Sequence, residues 1–309
     1  MNSALHSVLE PAGPDAAVIA QFAWVLFFGG AVIFGAVMLL LALSCRRHAK
    51  PVPEMRWIVG AGIAFPVTVL SALLVWSTWH SGKLSAQSSQ QALHIGVSGN
   101  MWWWEVRYRD PHSGREIASA NEIHIPTGRR VYLGLTSRDV IHSIWIPSLN
   151  GKMDLIPGRV TGMTLLADKP GLYRGQCAEY CGEQHARMAL HVVAHTPPDF
   201  AAWLARQSAP ATAPADAFIA RGRQAFLDQR CSACHTIRGV AESARLGPDL
   251  THVGSRLYIA AGTLPNHRGT LGGWIADPQG IKPGVRMPAA ADIDGETLRA
   301  LATYLEQLK

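Results

Sequence analysis

Charge is what this sequence has least of. Only 16% of its 309 residues are Asp, Glu, Lys or Arg, and none falls between Ala17 and Ser44. The first sixteen residues contain no Lys or Arg. A cleaved secretory leader would carry a basic n-region there, so none is expected. Cysteine is also sparse. The five are Cys45, Cys177, Cys181, Cys231 and Cys234, too few to staple a scaffold with disulfides. Four of them form two close pairs, a pattern that suits cofactor attachment. Cys45 reads as an ordinary residue at the end of an apolar run.

Hydrophobic residues make up 48% of the chain. The uncharged run from Ala17 to Ser44 is long enough, at about 1.5 Å per helical residue, to cross the ~30 Å of a bilayer core. A second apolar run extends from Trp57 to Trp79, with Pro66 as its one unusual member. Arg46, Arg47, His48, Lys50 and Arg56 lie between them, offset only by Glu54. Two such runs around a basic loop are hard to reconcile with a buried hairpin in a soluble core. The pattern predicts a transmembrane hairpin over residues 1–84 with its loop on the cytoplasmic side. Everything after about residue 81 is then extracytoplasmic. The net charge of +6 is in part this topology signal and is not read as a nucleic-acid footprint.

Residues 85–207 read as strands. His94–Val97, Trp102–Tyr108, Glu122–Ile125 and Val131–Leu135 are short, rich in β-branched and aromatic residues, and partly alternating. Further strands are expected at 141–146, 159–166, 171–177 and 191–195. Gly and Pro turns separate them. Many short strands at this spacing predict an antiparallel β-sandwich or Greek-key barrel rather than a parallel α/β sheet.

The densest chemistry lies between Gln176 and Met188, where Cys177, Cys181, His185 and Met188 fall within twelve residues. His142 lies upstream on a predicted strand. Two thiolates, two imidazoles and a thioether form a soft donor set suited to copper or zinc. Two thiolates four residues apart could bridge two coppers, with little change of geometry on gaining an electron. A disulfide between Cys177 and Cys181 and a structural zinc site are the alternatives. The thioether favours copper.

Residues 208–215, SAPATAPA, read as a Pro-rich linker. A last domain, 216–309, opens with a predicted helix (216–229) followed by Cys231-Ser232-Ala233-Cys234-His235. C-x-x-C-H is the pattern of covalent haem attachment: the two thiols take the vinyl groups and His235 supplies an axial nitrogen. Met287, in Lys-Pro-Gly-Val-Arg-Met-Pro, is the candidate methionine, with His252 and His267 as competing axial ligands. A final helix is expected over 295–308.

The segments Asp139-Val140-Ile141-His142-Ser143, Pro157-Gly158-Arg159 and Gly175 through Met188 resemble subunit II of the haem–copper cytochrome c oxidases. The resemblance implies a cupredoxin-like domain holding the binuclear copper centre CuA. Its ligands would be His142, Cys177, Cys181, His185, Met188 and the backbone carbonyl of Glu179. The Glu179 carboxylate would face a magnesium ion at the boundary with subunit I, near Asp154. Met101-Trp102-Trp103-Trp104-Glu105 is similar to the family's aromatic cluster, with Met101 where Gln is usual. Trp102 would then be the exposed tryptophan that receives an electron from a donor cytochrome. Glu54 resembles the acidic residue that marks a proton entry in some members, or is a plain loop charge.

The last domain is similar to class I cytochrome c, an all-α fold. The resemblance implies that Gly222 and Phe226 cross the final helix near Tyr304 and that Met287 is the sixth haem ligand. Together the two resemblances imply subunit II of a caa3-type oxidase of the bacterial inner membrane, with its soluble domains on the periplasmic side. Electrons would pass from a soluble or membrane-bound cytochrome c through haem c and CuA to haem a of subunit I. That subunit would reduce oxygen to water and pump protons. Its partners would be subunit I, subunit III and the lipid bilayer, and no nucleic acid. A copper-containing nitric oxide reductase and a membrane-bound copper assembly protein are the competing readings. An assembly protein has no reason to carry a covalent haem. A quinol oxidase subunit would lack the copper ligands.

Overall fold

The computed structural model describes residues 6–46, 53–85, 92–111, 113–290 and 292–309. Helix α1 spans Pro14–Ser44 and helix α2 spans Glu54–Gly82. Both are longer than the apolar runs that predict them. Pro14 supplies a preset φ at the first helical position, and α2 opens with the turn Glu54–Arg56 before winding as a π-helix over Trp57–Ala64. From Trp24 to Leu43 and from Trp57 to Trp79 most of the large apolar side chains are exposed. So much uncovered apolar surface suits lipid, not water. Phe22 meets Trp76 edge-on at 4.5 Å, one of the contacts between the helices. Arg47, His48 and Lys50 of the basic loop lie outside the described residues; Glu54 is the first residue of α2.

The start of α1 is tied to the strands that follow. Ala12 N–H donates to Ser148 O at 2.7 Å and Asp168 N–H donates to Ala12 O at 3.0 Å. Asp15 is buried, accepting from Asn150 Nδ2 at 3.2 Å with Arg130 Nη1 3.5 Å away. The outer end of the hairpin is thus bonded to the base of the strand domain.

Ten strands make up that domain: β1 Leu93–Asn100, β2 Trp103–Arg109, β3 Glu116–Ala120, β4 Glu122–Pro126, β5 Val131–Ser137, β6 His142–Trp145, β7 Lys152–Leu155, β8 Thr161–Leu165, β9 Gly171–Cys177 and β10 Ala189–His195. They form two five-stranded sheets, ordered β3-β2-β1-β5-β8 and β4-β10-β9-β6-β7. Strict alternation puts Val131, Leu133 and Leu135 of β5 inward, where they join Ile95, Val97, Trp104, Val106, Ile144, Leu190 and Val192 in one core. The expectation of an antiparallel sheet needs correcting. β1 pairs with β5, and β4 with β10, in parallel. A parallel pair needs a long connection, and the intervening strands supply it in both cases.

Helix α3, Pro197–Ser208, starts directly after β10 with Thr196 as its N-cap. It buries Phe200, Trp203 and Leu204, and the Trp203 ring stacks on His124 at 4.0 Å. Residues 209–215 form neither helix nor strand. They do not swing free: Ala211 N–H donates to Arg238 O at 3.0 Å and Ala215 N–H donates to Gln307 Oε1 at 3.3 Å.

The last region is built on α4 Ala217–Asp228, α5 Arg268–Ala276 and α6 Gly295–Gln307. Asp216 and Asp294 cap α4 and α6 through their carboxylates. The two helices cross at Gly222, where a Cβ would lie 2.1 Å from Ala300 O and 2.8 Å from Tyr304 Cβ. Only hydrogen fits there. Phe226 and Tyr304 are fully buried at this crossing, which is where the cytochrome resemblance puts them.

Candidate metal centre

The soft donors converge. His142 opens β6, Cys177 ends β9, and Ile144 pairs with Cys177 across the two strands. The loop from Ala178 to Met188 folds back over them. Cys177 N–H donates to Met188 O at 2.9 Å, Ala178 N–H to Ser143 O at 2.8 Å and His185 N–H to Gly182 O at 3.1 Å. Gly182 takes a φ of +113°, which a side chain would resist.

This brings Cys177 Sγ to 3.8 Å from Cys181 Sγ. Both thiols are free and buried. His142 Nδ1 lies 3.9 Å from Cys177 Sγ, His185 Nδ1 3.6 Å from Cys181 Sγ, and Met188 Sδ 3.9 Å from Cys181 Sγ. The Glu179 carbonyl lies 3.3 Å from Cys177 Sγ. His142, Cys177 and Cys181 alone present three ligand atoms within 4.8 Å of one another. Two sulfurs this far apart can both bind one ion at about 2.3 Å. The donor set therefore fits a thiolate-bridged metal centre, and it holds more donors than the four a tetrahedral ion takes.

A carboxylate missed in the sequence orients the set. Asp139 Oδ1 lies 2.8 Å from His142 Nε2, so Nδ1 is turned to the sulfur. The same carboxylate accepts from Met101 N–H at 2.8 Å and Val140 N–H at 2.9 Å. Burial would raise its pKa, but these bonds hold it below the ordinary value. Burial would lower His142, yet its bonds to Asp139 and Cys177 raise it. Within the cysteine pair, the hydrogen bond from Cys181 makes Cys177 the more acidic thiol, while that bond and burial push Cys181 up. The i, i+3 spacing of Asp139 and His142 was the signal that could have found this carboxylate.

Trp102 is not exposed as expected. Only 8% of it is open to solvent. Its Nε1 donates to Cys181 O at 3.0 Å, and its ring is covered by the loop around Gly284 of the C-terminal region. Trp104 is fully buried beside His142, 6.1 Å between ring centroids. The Glu179 carboxylate is half-exposed, 4.0 Å from Lys152 Nζ. Asp154 lies on β7, opposite Ser143.

In the C-terminal region, Cys231–Ala233 form a tight turn and His235 N–H donates back to Cys231 O at 3.0 Å. Both cysteines are free and half-buried. His235 Nδ1 lies 2.8 Å from Pro248 O, so Nδ1–H is the donor and the Nε2 lone pair is left for a metal. Burial holds the ring below its ordinary pKa against that bond, which keeps it neutral. Gly247 lies against the imidazole: a Cβ there would come 2.5 Å from Cε1. Met287 packs against the helical core. These residues fit a covalently attached haem. The competing candidates are otherwise engaged. His252 has Lys309 O at 3.1 Å from Nδ1 and Ala209 O at 3.0 Å from Nε2. His267 caps α5 through Thr270 N–H.

Comparison with known proteins agrees with both sites. Residues 109–195 match the family described as cytochrome c oxidase subunit II, periplasmic domain, and residues 219–309 match the cytochrome c family. Cytochrome c oxidase subunit 2 of Alkalihalophilus pseudofirmus is 31% identical over an alignment that covers 98% of this chain and 91% of the relative. The Bacillus subtilis protein of the same name is 31% identical, covering 83% and 74%. The solved periplasmic domain of cytochrome oxidase subunit II from Bradyrhizobium japonicum aligns with 40% of this chain and 97% of its own at 28% identity, with a TM-score of 0.37. Both family matches lie on this chain, and a relative 31% identical is matched over 91% of its length: the chain belongs to the cytochrome c oxidase subunit 2 family.

Proposed function

We propose that this chain is the electron-entry subunit of a caa3-type cytochrome c oxidase. Electrons from a cytochrome c donor would pass by way of haem c and a binuclear CuA centre to haem a of subunit I. That subunit would reduce oxygen to water and pump protons. The domains would then be the hairpin 1–84, a cupredoxin-like barrel 85–207, the linker 208–215 and a cytochrome c domain 216–309, with the soluble parts on the periplasmic side.

The observation that carries this reading is the donor count around Cys177 and Cys181. Two free thiols 3.8 Å apart are flanked by two imidazoles, a thioether and a carbonyl. A zinc ion would leave two of these donors unused. A pair of copper ions held by His142, Cys177, Cys181, His185, Met188 and the Glu179 carbonyl would use them all. The copper pair and the haem would supply rapid one-electron transfer. The chain's part is to hold the donors rigid. Asp139 fixes the His142 ring, the β6 and β9 strands fix His142 and Cys177, and Pro248 O fixes His235. Met287 is proposed as the sixth haem ligand, Glu179 as a magnesium ligand at the subunit I boundary, and Glu54 as a proton-entry carboxylate.

The test is the visible, near-infrared and EPR spectrum of the full chain in detergent. A c-type haem and a mixed-valence signal with equal coupling to two copper nuclei are expected. A one-copper signal, or a Cys177–Cys181 disulfide in copper-loaded protein, refutes the reading. Met287→Leu should leave the haem attached and lower its potential.

A further inference from the structure

The C-terminal domain is seated on the metal loop, and one residue of the seam is out of place by ordinary rules. Lys282 is 2% exposed. Lysine is almost never buried unless paired, and no carboxylate pairs with it among the described residues. Its three ammonium donors are instead met by three backbone carbonyls: Trp102 O at 2.8 Å, Arg187 O at 2.8 Å and Ala260 O at 3.1 Å. The first two belong to the strand domain, the third to the cytochrome domain. Trp102 is the residue whose indole holds Cys181 O, and Arg187 precedes Met188. Lys282 therefore holds the end of the metal loop directly and its Cys181 turn through Trp102. Burial and the Arg187 guanidinium push its pKa down to about 7, while the three carbonyls favour the charged form.

The neighbours of Lys282 make the same join. Gln184 Nε2 donates to Pro283 O at 2.8 Å, and the Arg187 guanidinium donates to Ile281 O. Gly284, at φ +81°, lies so close that a Cβ would come 2.8 Å from Glu183 Oε2 and 3.4 Å from the Trp102 ring. Three residues further on is Met287. Behind this loop, amides cross the seam in both directions. Ala189 N–H donates to Ala261 O at 3.0 Å, and Leu257 N–H donates to the buried Glu122 carboxylate at 2.6 Å. His191 stacks on Tyr258 at 4.4 Å.

We propose that Lys282 is the latch that closes the cytochrome domain over Trp102, so that an external donor reaches the copper loop only by way of the haem-bearing domain. This rests on the function proposed above. The role is one of positioning: the ammonium holds the 281–284 loop on the tryptophan ring, and the covered ring excludes a second cytochrome from the same face.

The Ala189 and Leu257 amides report the seam directly, because each is bonded across it. Hydrogen exchange is measured on the full chain, loaded and in detergent, for wild type, Lys282→Met and Gly284→Ala. Lys282→Met keeps the stem and removes the three donors. Gly284→Ala strains the loop backbone at φ +81° and crowds the Glu183 carboxylate, without touching the lysine. Lys282→Met is expected to speed exchange at Ala189 and Leu257 at least about ten-fold, the fold-change that accompanies loss of a charge-assisted hydrogen bond, and Gly284→Ala, which strains the loop but keeps the ammonium, should speed it less. Amides inside β1 and β5 should not change, which separates an opened seam from general unfolding. In stopped-flow reduction by soluble ferrocytochrome c, the wild-type haem should be reduced before copper, and the order should blur in both variants. Unchanged Ala189 and Leu257 exchange in both variants overturns the latch. Absent copper or haem spectra in wild type would count against the proposed function instead, and the exchange result would still decide the latch.

Discussion

Gly99→Ala is the most demanding single test of the copper-loop geometry. Gly99 sits on β1, directly behind His142. A Cβ built there lies 2.6 Å from His142 Cδ2, 3.0 Å from Cγ and 3.3 Å from Cβ. Carbon atoms settle at about 3.5–4.0 Å, so the ring would have to move by about 1 Å. It has nowhere to go. The side chain is fully buried, Asp139 holds Nε2 at 2.8 Å, and Trp104 lies against it. Overpacking of this kind costs about 1–3 kcal/mol, and the alanine returns about 0.4–1 kcal/mol by restricting the unfolded chain. The net loss, up to about 2.6 kcal/mol, corresponds to as much as roughly 10 °C in Tm for a domain of this size. The displaced imidazole should also weaken copper binding by about 10–100-fold, as second-sphere changes do. Gly134→Ala on the adjacent strand is the control. Its Cβ would meet only Tyr132 Cε1, at 3.9 Å, so Tm should hold or rise slightly. Thermal unfolding by tryptophan fluorescence and copper titration by the visible band check both. A Gly99→Ala protein with wild-type Tm and wild-type copper affinity would refute the claim that His142 is locked in place for a metal.

Three further outcomes are expected. Gly222→Ala should open the α4–α6 crossing, since the new methyl would meet backbone at Ala300 O; a loss of at least about 2 kcal/mol would show as Soret bleaching at lower denaturant. Cys181→Ser removes one of two sulfurs 3.8 Å apart and should leave at most a one-copper EPR signal, because a hydroxyl is a poor soft ligand. Burial, with His124 2.8 Å away, pushes His195 down to about 4. The unfolded chain therefore binds the extra proton first as pH falls. The stability this contributes is complete above about 6.5 and lost as pH drops through about 4, on the order of 1 kcal/mol at a half-buried ring. Denaturation midpoints at pH 7 and pH 5 should converge in His195→Gln.

Much of this was readable in the sequence because its signals are local. The two apolar helices are built on uncharged runs, C-x-x-C-H is one turn of chain, and the Cys177–Met188 donors come from a single loop. His142 could be placed with them through the family resemblance, and the sheet order explains it: β6 is hydrogen-bonded to β9, so His142 and Cys177 are neighbours across one ladder. What escaped depends on distant segments meeting. The parallel β1–β5 and β4–β10 pairings leave no mark on strand alternation. Trp102 looks like a surface aromatic until Gly284, far along the chain, is laid on it. The linker reads as loose from its Ala and Pro content, yet its backbone is bonded to Arg238 and Gln307. His252 resembles an axial ligand until the C-terminal carbonyl and the linker occupy both its nitrogens.

The seam fits a tethered domain rather than a diffusing one. A diffusing cytochrome gains from long-range charge complementarity, which speeds encounter and is screened by salt. A tethered one has a high effective concentration without it, and can use contacts that act only at short range. The seam contains several such contacts beside one exposed ion pair, Arg245 Nη1 to Glu116 Oε1 at 3.5 Å. Lys282 is satisfied by carbonyls rather than by an acid, and Glu122 by a backbone amide and a nearby histidine rather than by a lysine or arginine. Arg138 bonds the Arg245 carbonyl while its own carboxylate partner, Glu105, is on the same domain as itself. Such groups contribute little to attraction at a distance. Shifted by one residue, Lys282 would be a buried charge without partners, at a cost of several kcal/mol. The seam therefore selects one register, the one that lays the loop before Met287 on the tryptophan bonded to Cys181.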